Sequence, residues 1–436
     1  MKPIQVGLFG IGTVGSGTFE VLKRNQEEIQ RRAGRPIQIT MVADLDVARA
    51  KSIVGSTVQV VSDARQIIAN PEIDIVVELI GGYGIAKQLV LEAIDAGKHV
   101  VTANKALLAV HGTEIFAAAH KKGVMVAFEA AVAGGIPIIK ALREGLTANR
   151  IQWLAGIING TTNFILSEMR DKGLAFDDVL KQAQALGYAE ADPTFDIEGV
   201  DAAHKATIMS AIAFGVPVQF DKAYVEGITQ LESQDIRYAE QLGYRIKLLG
   251  ISKRTELGIE LRVHPCLVPA KRLIANVEGA MNAVMVQADA VGTTLYYGKG
   301  AGSEPTASAV IADLVDITRL HTVDPLNRVP HLAFQPDAMS DLPVLSMEQV
   351  VTSYYLRLRV ADQAGVLAKV TGILATANIS IDAVLQREAG EGESHTDLII
   401  LTHDCPEAKM NQAMAEMQQL STVLAPITRI RKEELN

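Results

Sequence analysis

Apolar runs alternate with amphipathic stretches along the N-terminal part of the chain. Residues 4–9 form a short apolar run, residues 10–17 are rich in glycine, and residues 18–32 have helical spacing with exposed charges. Later apolar runs of the same kind, separated by segments with helical spacing, lie at residues 37–43, 73–79, 99–102 and 124–128. Strands and helices that alternate in this way predict an α/β fold with a doubly wound parallel sheet.

The pattern changes at about Gly134. We expect a helix to start at Pro137 and helix-forming residues to continue to 249. β-like runs follow at residues 257–263 and 283–291, so this region reads as a second, mixed α/β domain. Residues 303–320 read as one helix, and residues 327–348, with several prolines and little periodicity, read as a linker.

The C-terminal segment has a pattern of its own. Its expected elements, in order, are a strand at 354–360, a helix at 366–377, a strand that ends at Glu388, a strand at 397–402, a helix at 406–420 and a strand at 423–430. The order βαββαβ predicts a ferredoxin-like, α+β domain.

Composition narrows the class of protein. With 48% hydrophobic and 21% charged residues, a chain of 436 residues can bury a large core and is long enough for roughly two to four domains. Asp and Glu outnumber Lys and Arg by 50 to 41, which gives a net charge of −9. No global positive field therefore exists to attract nucleic acid or an anionic membrane.

Targeting and redox signals are few. The longest apolar run, residues 206–218, has about 13 residues and falls short of the roughly 20 that a membrane helix needs, so we expect a buried helix there. The N-terminus enters an apolar strand at once and leaves no room for a signal peptide. Cys266 and Cys405 are far apart in sequence, which favours a reducing compartment. We expect a cytoplasmic protein.

The first chemical signal is a GxGxxG motif between the first strand and the first helix. It comprises Gly10, Gly12, Thr13, Val14 and Gly15. The first glycine permits a tight turn, the second lets the backbone approach a pyrophosphate, and the third allows close helix packing. This placement predicts a Rossmann dinucleotide site, against the alternative of a merely structural glycine turn.

The end of the second strand bears on the choice of cofactor. Asp44 stands where an acid would bind a ribose 2′-hydroxyl and disfavour a 2′-phosphate, which favours NAD. Arg49 and Lys51 follow closely and could accept a phosphate, and Asp44 could instead cap the next helix. NAD and NADP both stay open.

The second signal is a run of acids before a lysine. Asp201 and Lys205 are four residues apart and would share one face of a helix. An exposed ion pair is the plain interpretation, but the residues after Lys205 are nearly all apolar, which places this lysine at the mouth of a buried helix. The helix N-terminus and partial desolvation would both lower its pKa towards the range useful for proton transfer.

These residues resemble the homoserine dehydrogenase family. Its signature is matched without a gap by Ala183, Gly187, Asp192, Pro193, Asp196, Gly199, Asp201 and Lys205. Further similar stretches lie at residues 102–105, 128–137, 158–165 and 297–306, so the resemblance extends from residue 1 to about residue 330.

The resemblance implies reversible NAD(P)-dependent reduction of L-aspartate 4-semialdehyde to L-homoserine, in the biosynthesis of threonine, methionine and isoleucine. It makes Lys205 the general acid and base and Lys105 a second lysine near cofactor and substrate, against the alternative of an exposed helix-start lysine. It assigns substrate binding to Gly187, Glu190, Asp196 and Asp201, and adds Lys105 and Gly302 to the cofactor residues. It also implies a homodimer or homotetramer.

A loop after the fifth predicted strand matches the family's monovalent cation site. The resemblance assigns sodium or potassium to Glu129, Val132, Gly134 and Ile136. Hard cations want oxygen ligands, and a Gly-Gly loop exposes carbonyls. The alternative is a hinge, in which the two glycines turn the chain and Pro137 starts the next helix.

The C-terminal segment resembles an ACT domain, the amino-acid-sensing module. Its loop-to-helix site is matched by Asp362, Gly365, Val366 and Leu367, where a helix N-terminus can receive a ligand carboxylate. The resemblance implies threonine as effector, and the alternative is a domain used only for dimerisation.

The expected division has four parts. An NAD(P)-binding domain comprises residues 1–133 with 303–325, and a substrate and dimerisation domain comprises residues 134–302. A linker spans 326–349, and the ACT domain spans 350–436. Two other functions are weighed against this interpretation: another ACT-carrying dehydrogenase with a His-based acid, and a catalytically dead nucleotide sensor. No histidine motif supports the first, and the intact lysines and acids argue against the second.

Overall fold

The computed structural model describes residues 2–386 and 394–436. Its N-terminal sheet has six parallel strands in the order β3-β2-β1-β4-β5-β6. The strands are β1 Ile4–Phe9, β2 Ile37–Ala43, β3 Gln59–Val61, β4 Ile75–Glu78, β5 His99–Thr102 and β6 Val126–Ala127. The helices between them are α1 Thr13–Arg24, α2 Gln26–Ala33, α3 Val47–Val54, α4 Arg65–Ala69, α5 Gly84–Asp95 and α6 Lys105–Lys122. This is the strand order of a Rossmann fold, which confirms the predicted doubly wound sheet.

One local prediction for this sheet is wrong, and one strand was not predicted. The stretch 18–32 is not one helix, because α1 ends before Asn25 and α2 begins after it. The short edge strand β3 has no apolar run long enough to mark it. Neither difference changes the edge of the sheet at which the glycine-rich loop lies.

A late helix completes this first unit. Helix α13, Ser303–Leu320, packs against α1, and its residues Ala307, Val310 and Leu314 are buried in the same core as the first strands. The hydroxyl of Ser303 donates to the carbonyl oxygen of Thr13 at 2.8 Å. The predicted helix over residues 303–320 is therefore confirmed.

The middle of the chain is richer in strands than its sequence indicates. The additional strands are β7 Ile151–Ile157, β8 Tyr224–Val225, β9 Tyr244–Arg254, β10 Ile259–Pro269, β11 Met281–Ala288 and β12 Gly292–Lys299. β7, β8, β9 and β12 were not predicted, and β7, β8 and the first part of β9 lie where helix was expected up to residue 249. The expected β-runs at 257–263 and 283–291 overlap β10 and β11 but differ from them at both ends. β7 is buried along most of its length, so it lacks the alternation that marks a half-exposed strand.

The helices of this region are α7 Ile138–Lys140, α8 Gly160–Lys172, α9 Phe176–Ala185, α10 Thr194–Ile197, α11 Val200–Phe214 and α12 Ser233–Gln241. Three of them, α8, α11 and α12, pack directly against the sheet. The helix expected at Pro137 begins one residue later and continues as a π-helical turn over Ala141–Gly145. Helix α11 is buried along almost its whole length, as expected from residue 206 onwards, but it ends at Phe214 and not at Val218.

The C-terminal unit has the predicted βαββαβ order with one extra bridge. Its elements are β13 Val351–Ala361, α14 Val366–Thr376, β14 Ile381–Gln386, β15 His395–Thr402, β16 Cys405–Pro406, α15 Glu407–Gln418 and β17 Thr428–Lys432. The predicted end of the third element at Glu388 lies outside the described residues. The last strand starts at Thr428, five residues later than predicted.

Strand β17 joins the C-terminal unit to the middle region. It pairs antiparallel with β13 and parallel with β10, where Cys266 stands opposite Arg431. The sheet of the middle region and that of the C-terminal unit are consequently continuous, in the order β12-β11-β7-β9-β10-β17-β13-β15-β14.

Cys266 and Cys405 are both free and buried, and no helix in the described part of the chain is long and apolar enough to cross a membrane.

Candidate active site

The glycine-rich loop has the shape of a phosphate cradle. Gly10 has φ +90°, and a side chain there would lie 3.0 Å from the carbonyl oxygen of Leu79. A side chain at Gly12 would meet no atom within 4 Å, so the backbone faces open space, whereas one at Gly15 would overlap the carbonyl of Gly10. The three glycines thus serve a turn, an open approach to the N-terminus of α1, and close packing, which suits a bound pyrophosphate.

Asp44 holds this loop from the neighbouring strand. Its carboxylate accepts the backbone N–H of Ile11 at 2.8 Å and that of Asp46 at 2.9 Å. Asp46, and not Asp44, caps α3 by accepting the N–H of Arg49. The capping alternative for Asp44 is therefore wrong.

The other predicted cofactor residues surround the same loop. Thr13 and Val14 form the first turn of α1, and the carbonyl of Thr13 accepts from Ser303. Gly302 is the residue before α13 and so stands next to that contact.

Two lysines and one carboxylate form the centre of the candidate site. Asp201, in the first turn of α11, lies 2.7 Å from Nζ of Lys205 through Oδ2 and 2.9 Å from Nζ of Lys105 through Oδ1. Lys205 also donates to the carbonyl oxygen of Ile158 at 2.8 Å. The side chains of Lys205 and Asp201 are only 11% and 5% exposed, so the plain interpretation as an exposed ion pair is wrong.

Lys105 reaches this cluster from the first sheet. It is the first residue of α6, directly after β5, and Asn104 caps the helix by accepting the N–H of Leu107 at 3.0 Å. Since Lys105 contacts the buried Asp201, the alternative of a merely solvated helix-start lysine is also wrong. The cluster therefore lies between the parallel sheet and the middle region.

Asn159 organises the acids and was not singled out from the sequence. Its side-chain amide donates to Asp196 Oδ1 at 2.7 Å and to Asp201 Oδ2 at 2.9 Å. Its side-chain oxygen accepts the N–H of Thr162 and so caps α8. One residue thus fixes two carboxylates that the chain separates by about forty positions from it.

For each charged group of this cluster, burial and the neighbouring charges shift the pKa in opposite directions. Desolvation lowers the pKa of Lys205 below its ordinary value, although the charge of Asp201 opposes this. Desolvation also acts on Lys105, but Asp201, Asp196 and Glu190 outweigh it and raise the pKa of Lys105. Burial alone would raise the pKa of Asp201, and the two lysines instead hold that pKa well below its usual range.

The pKa of Asp196 is shifted in the opposite direction from that of Asp201. Desolvation and the neighbouring charge of Asp201 raise its pKa, and the amide of Asn159 only partly offsets them. The hydroxyl of Thr161 donates to the carbonyl of Tyr188 at 2.6 Å and lies 3.3 Å from Asp196. Asp196 is thereby tied to the segment that follows α9.

Gly187 and Glu190 stand at the rim of the site. Both are exposed, and Gly187 follows the end of α9, where its N–H donates to the carbonyl of Gln184. The side chain of Gln184 donates to the carbonyl of Glu190 at 3.1 Å, and the charge of Glu190 contributes to the raised pKa of Lys105. Of the four predicted substrate residues, Asp201 contacts both lysines, the charges of Asp196 and Glu190 act on Lys105, and Gly187 is linked to this group only through the end of α9.

A histidine next to Lys205 faces away from the cluster. The ring of His204 packs 4.3 Å from that of Phe220 and 5.3 Å from that of Phe195. Its two nitrogens have no hydrogen-bond partner in residues 2–386 and 394–436, and desolvation lowers its pKa to about 4. This supports the prediction that His204 is no acid or base for the cluster.

The predicted cation loop, residues 129–136, directly follows strand β6 of the parallel sheet. The buried carboxylate of Glu129 accepts the N–H groups of Ile139 at 2.9 Å and Lys140 at 2.8 Å, and desolvation raises its pKa. The carbonyl oxygens of Val132 and Gly134 accept no hydrogen bond from the described residues, and both residues are buried. A buried carboxylate and main-chain carbonyls from the same loop are the oxygen ligands that a hard monovalent cation prefers.

Ile136 and the glycines also support the hinge interpretation. The carbonyl of Ile136 accepts the N–H of Ile138 at 2.8 Å, while Gly135 donates to the carbonyl of Lys299 at 3.0 Å. The loop therefore holds the start of α7 against the strand that leads to α13. The two interpretations are compatible with one geometry.

The predicted effector residues lie at the start of α14. Gly365 is the residue before the helix, Val366 begins it, and Leu367 is exposed. Asp362 lies on the preceding turn, where its N–H donates to the carbonyl of Ser394 at 2.9 Å. The four residues thus surround one helix N-terminus at the surface of the C-terminal unit.

Comparison with known proteins identifies relatives over the whole chain. Residues 10–129 match a family model described as homoserine dehydrogenase, NAD binding domain, residues 137–315 match one described as homoserine dehydrogenase, and residues 354–422 match the ACT domain. Homoserine dehydrogenases of Pseudomonas aeruginosa and Neisseria gonorrhoeae are 62% and 58% identical over 436 residues, which is 100% of both chains in each pair. The solved homoserine dehydrogenase of Thiobacillus denitrificans is 66% identical, with a TM-score of 0.96 over 100% of this chain and 99% of that chain.

Proposed function

Because the chain belongs to the homoserine dehydrogenase family, we propose that it uses a nicotinamide nucleotide to interconvert L-aspartate 4-semialdehyde and L-homoserine at the site just described. One observation carries the assignment to this site: the buried carboxylate of Asp201 binds two lysines from different elements. A bound nicotinamide nucleotide supplies or accepts the hydride. The chain itself must hold the substrate and move the proton.

Lys205 is proposed as the proton donor in the reductive direction. An ammonium has three N–H groups, and two of those on Lys205 are directed at Asp201 and the carbonyl of Ile158. The third is free, within the described residues, for the aldehyde oxygen on which negative charge develops. Because burial lowers the pKa of Lys205, this group gives up its proton more readily than an exposed lysine. In the oxidative direction the neutral amine takes the hydroxyl proton back.

The acids and Lys105 are proposed to orient the zwitterionic substrate. Glu190 at the exposed rim would bind the substrate ammonium, Gly187 would contribute main-chain groups, and Asp196 and Asp201 would complete the polar wall. Lys105 keeps its charge because its pKa is raised, so it suits electrostatic stabilisation of the developing oxyanion. The two lysines therefore have different tasks.

Cofactor choice is proposed to depend on Asp44. Its carboxylate lies at the carboxyl end of β2, where the negative charge opposes a 2′-phosphate and favours NAD. Arg49 and Lys51 on α3 would favour NADP instead. Turnover measured side by side with NAD and NADP, for the wild type and for Asp44→Ser, distinguishes the two; Asp44→Ser is expected to improve NADP relative to NAD.

A sodium or potassium ion is proposed for the loop of Glu129, Val132, Gly134 and Ile136. The two unsatisfied carbonyls of that loop support this proposal. Activity in sodium, potassium and Tris buffers of equal ionic strength tests it. Equal activity in all three would favour the hinge interpretation.

Regulation and assembly are further parts of the proposal. Threonine is the proposed effector at Asp362, Gly365, Val366 and Leu367, which would place the enzyme in the biosynthesis of threonine, methionine and isoleucine, in the cytoplasm, as a homodimer or homotetramer. The proposed division is an NAD(P)-binding domain of residues 1–133 with 303–325, a substrate domain of 134–302, a linker of 326–349 and an ACT domain of 350–436.

The main test is homoserine-dependent reduction of NAD and NADP by the purified protein. We expect turnover with L-homoserine and none with simple 2-hydroxy acids. Glu190→Gln is expected to raise the homoserine KM by about tenfold or more, because a charge-assisted hydrogen bond to the substrate ammonium is lost. Lys181→Gln, which changes an exposed charge on the preceding helix, is the matched control. A change in cofactor affinity alone would contradict the role of Glu190.

A further inference from the structure

Arg431 on β17 is a fully buried arginine at the junction between the C-terminal unit and the middle region. Its Nε lies 3.0 Å from Glu407 on α15, which belongs to its own unit. Its Nη1 lies 2.8 Å from Glu226 and its Nη2 lies 3.0 Å from the hydroxyl of Tyr224, both in the middle region. The guanidinium also stands 4.9 Å from the centre of the Tyr224 ring. One side chain therefore binds both units.

The partners of Arg431 in the middle region belong to one short stretch, residues 224–229, which we call the bridge segment. Its strand β8 pairs with β10, and the N–H of Glu226 donates to the carbonyl of Val263 at 2.8 Å. The backbone of the bridge segment is thus fixed to the sheet on one side. On the other side, Arg431 binds the side chains of two residues of the bridge segment, Glu226 and Tyr224.

The bridge segment contacts residues 196–201, which run from the end of α10 into the first turn of α11 and which we call the acidic loop. Ile228 donates its N–H to the carbonyl of Ile197 at 2.8 Å, and the hydroxyl of Thr229 donates to Glu198 at 3.2 Å. Any side chain at Gly227 would overlap the carbonyl of Ile197 and would lie 2.5 Å from Cα of Glu198. The two backbones are in contact, so a shift of the bridge segment must move the loop.

The acidic loop carries the candidate substrate groups. Asp196 lies at one end of it, bound by Asn159, and Asp201 lies at the other end in the first turn of α11. The continuous series of contacts from Arg431 to these acids comprises Glu226, Gly227 and Ile197. The steps between segments are an ion pair and a backbone contact, and the remaining steps follow the chain from Glu226 to Gly227 and from Ile197 to Asp196.

We propose that Arg431 is a positioning residue for the substrate site: by holding Glu226 it fixes the bridge segment and, through it, the loop of Asp196 and Asp201. The last strand of the ACT domain then sets the affinity of the enzyme for its amino-acid substrate but not for its nucleotide. The glycine-rich loop lies on the other sheet and is not part of this series of contacts. This inference rests on the proposed function of the site.

Glu226→Gln is the decisive variant. The amide keeps the size of the side chain, and the buried pair of Arg431 and Glu407 stays intact, so the C-terminal unit is expected to fold. We expect the homoserine KM to rise about fivefold, within the range that mutations in coupled networks produce. The nucleotide Kd, measured by quenching of protein fluorescence, is expected to stay unchanged. Glu226→Asp, which keeps the charge, is expected to recover part of the loss.

Glu232→Gln is the matched control. Glu232 also pairs with an arginine of the C-terminal unit, Arg357 at 3.1 Å, but it lies at the start of α12 and does not touch the acidic loop. Its kinetic constants are expected to equal those of the wild type. An unchanged homoserine KM in Glu226→Gln, or an equal loss of homoserine and nucleotide affinity, would overturn the inference. Failure of the wild type to oxidise homoserine would instead overturn the proposed function.

Discussion

Two buried clusters of charge in this molecule are built from similar parts and have opposite properties. At the candidate active site, Asp201 binds the ammonium groups of Lys105 and Lys205. At the junction with the C-terminal unit, Arg431 binds the carboxylates of Glu226 and Glu407. The difference lies in the cation, because a buried lysine can lose its proton while a buried arginine keeps it.

Burial lowers the pKa of Lys205 and would also lower that of Arg431, but the two carboxylates outweigh burial and raise the pKa of Arg431. The guanidinium is fully enclosed and bound through Nε, Nη1 and Nη2, whereas Lys205 keeps one N–H free for a ligand. The cluster at the candidate active site therefore has an unused hydrogen-bond donor and a cation that can lose its proton. The cluster at the junction has a cation that keeps its proton and is bound through all three of its nitrogens.

The largest expected effect is a loss of kcat, and it tests the catalytic role of the lysine cluster. Lys205→Met should lower kcat by about 10³-fold, because general acid and base catalysis is lost. Nucleotide binding, measured by fluorescence titration, should be retained. Lys247→Met is the control, since Lys247 is a buried lysine whose pKa burial lowers to about 8 and which donates to the carbonyl of Val277, away from the site. Full activity in the Lys205 variant would remove the proposed mechanism, and an equal loss in the Lys247 variant would show that any buried lysine matters.

The next effect concerns a second ion pair at the junction. Arg357→Met should lower the free energy of unfolding by about 3 kcal/mol, because it leaves the buried Asp235 without its cation. Turnover per folded molecule should not change. Arg359→Met, on the same strand, removes a half-exposed guanidinium 3.4 Å from Asp397, which keeps its hydrogen bonds from Gln234 and Tyr238, and it should cost less than about 1 kcal/mol. Urea unfolding checks both, and similar costs would show that burial does not distinguish the two pairs.

The sequence predicts those parts of the site that are local in the chain. The three glycines of the first loop follow one strand directly, and Asp201 and Lys205 share a face of one helix, so spacing alone brings them together. The series of parallel strands is equally readable, because buried parallel strands are continuous apolar runs.

Other parts depend on contacts between distant residues and leave no local signal. Asn159 binds Asp196 and Asp201 from a different helix, and nothing in its neighbours indicates these partners. Strand β7 is hidden among helices because it is covered on both faces, and Arg431 finds Glu226 only through the pairing of β17 with β10. Such pairings are properties of the tertiary fold and not of any segment.

A smaller effect concerns pH. In Asp201→Asn the charge that favours both ammonium groups is removed, so the lowered pKa of Lys205 should fall further and the raised pKa of Lys105 should fall towards its ordinary value. Reduction of the aldehyde requires protonated Lys205, which is present below its pKa and lost as pH rises through it. The alkaline limb of the reductive pH profile should therefore move to lower pH by about one unit, beside a loss of kcat.

The control for this shift is Asp192→Asn. Asp192 is exposed in the same acidic stretch and accepts the N–H of Thr194, so its removal should leave the alkaline limb in place. A limb that stays where it is in Asp201→Asn, or moves to higher pH, would contradict the assignment of Asp201 as the group that stabilises both lysines.

The smallest effect tests how the junction is held. Tyr224→Phe removes a hydroxyl that accepts from Arg431 at 3.0 Å and donates to Glu226 at 2.7 Å, but it keeps the ring beneath the guanidinium. Because the ion pair of Arg431 and Glu226 remains, the free energy of unfolding should fall by only about 1 kcal/mol in a urea titration. Tyr244→Phe is the control, since its ring lies beneath Lys432 and its hydroxyl, which lies 3.4 Å from Glu434, does not bind Arg431 or Glu226 among the described contacts. A loss in Tyr224→Phe as large as that expected for Arg357→Met would mean that the hydroxyl, and not the ion pair, holds the bridge segment.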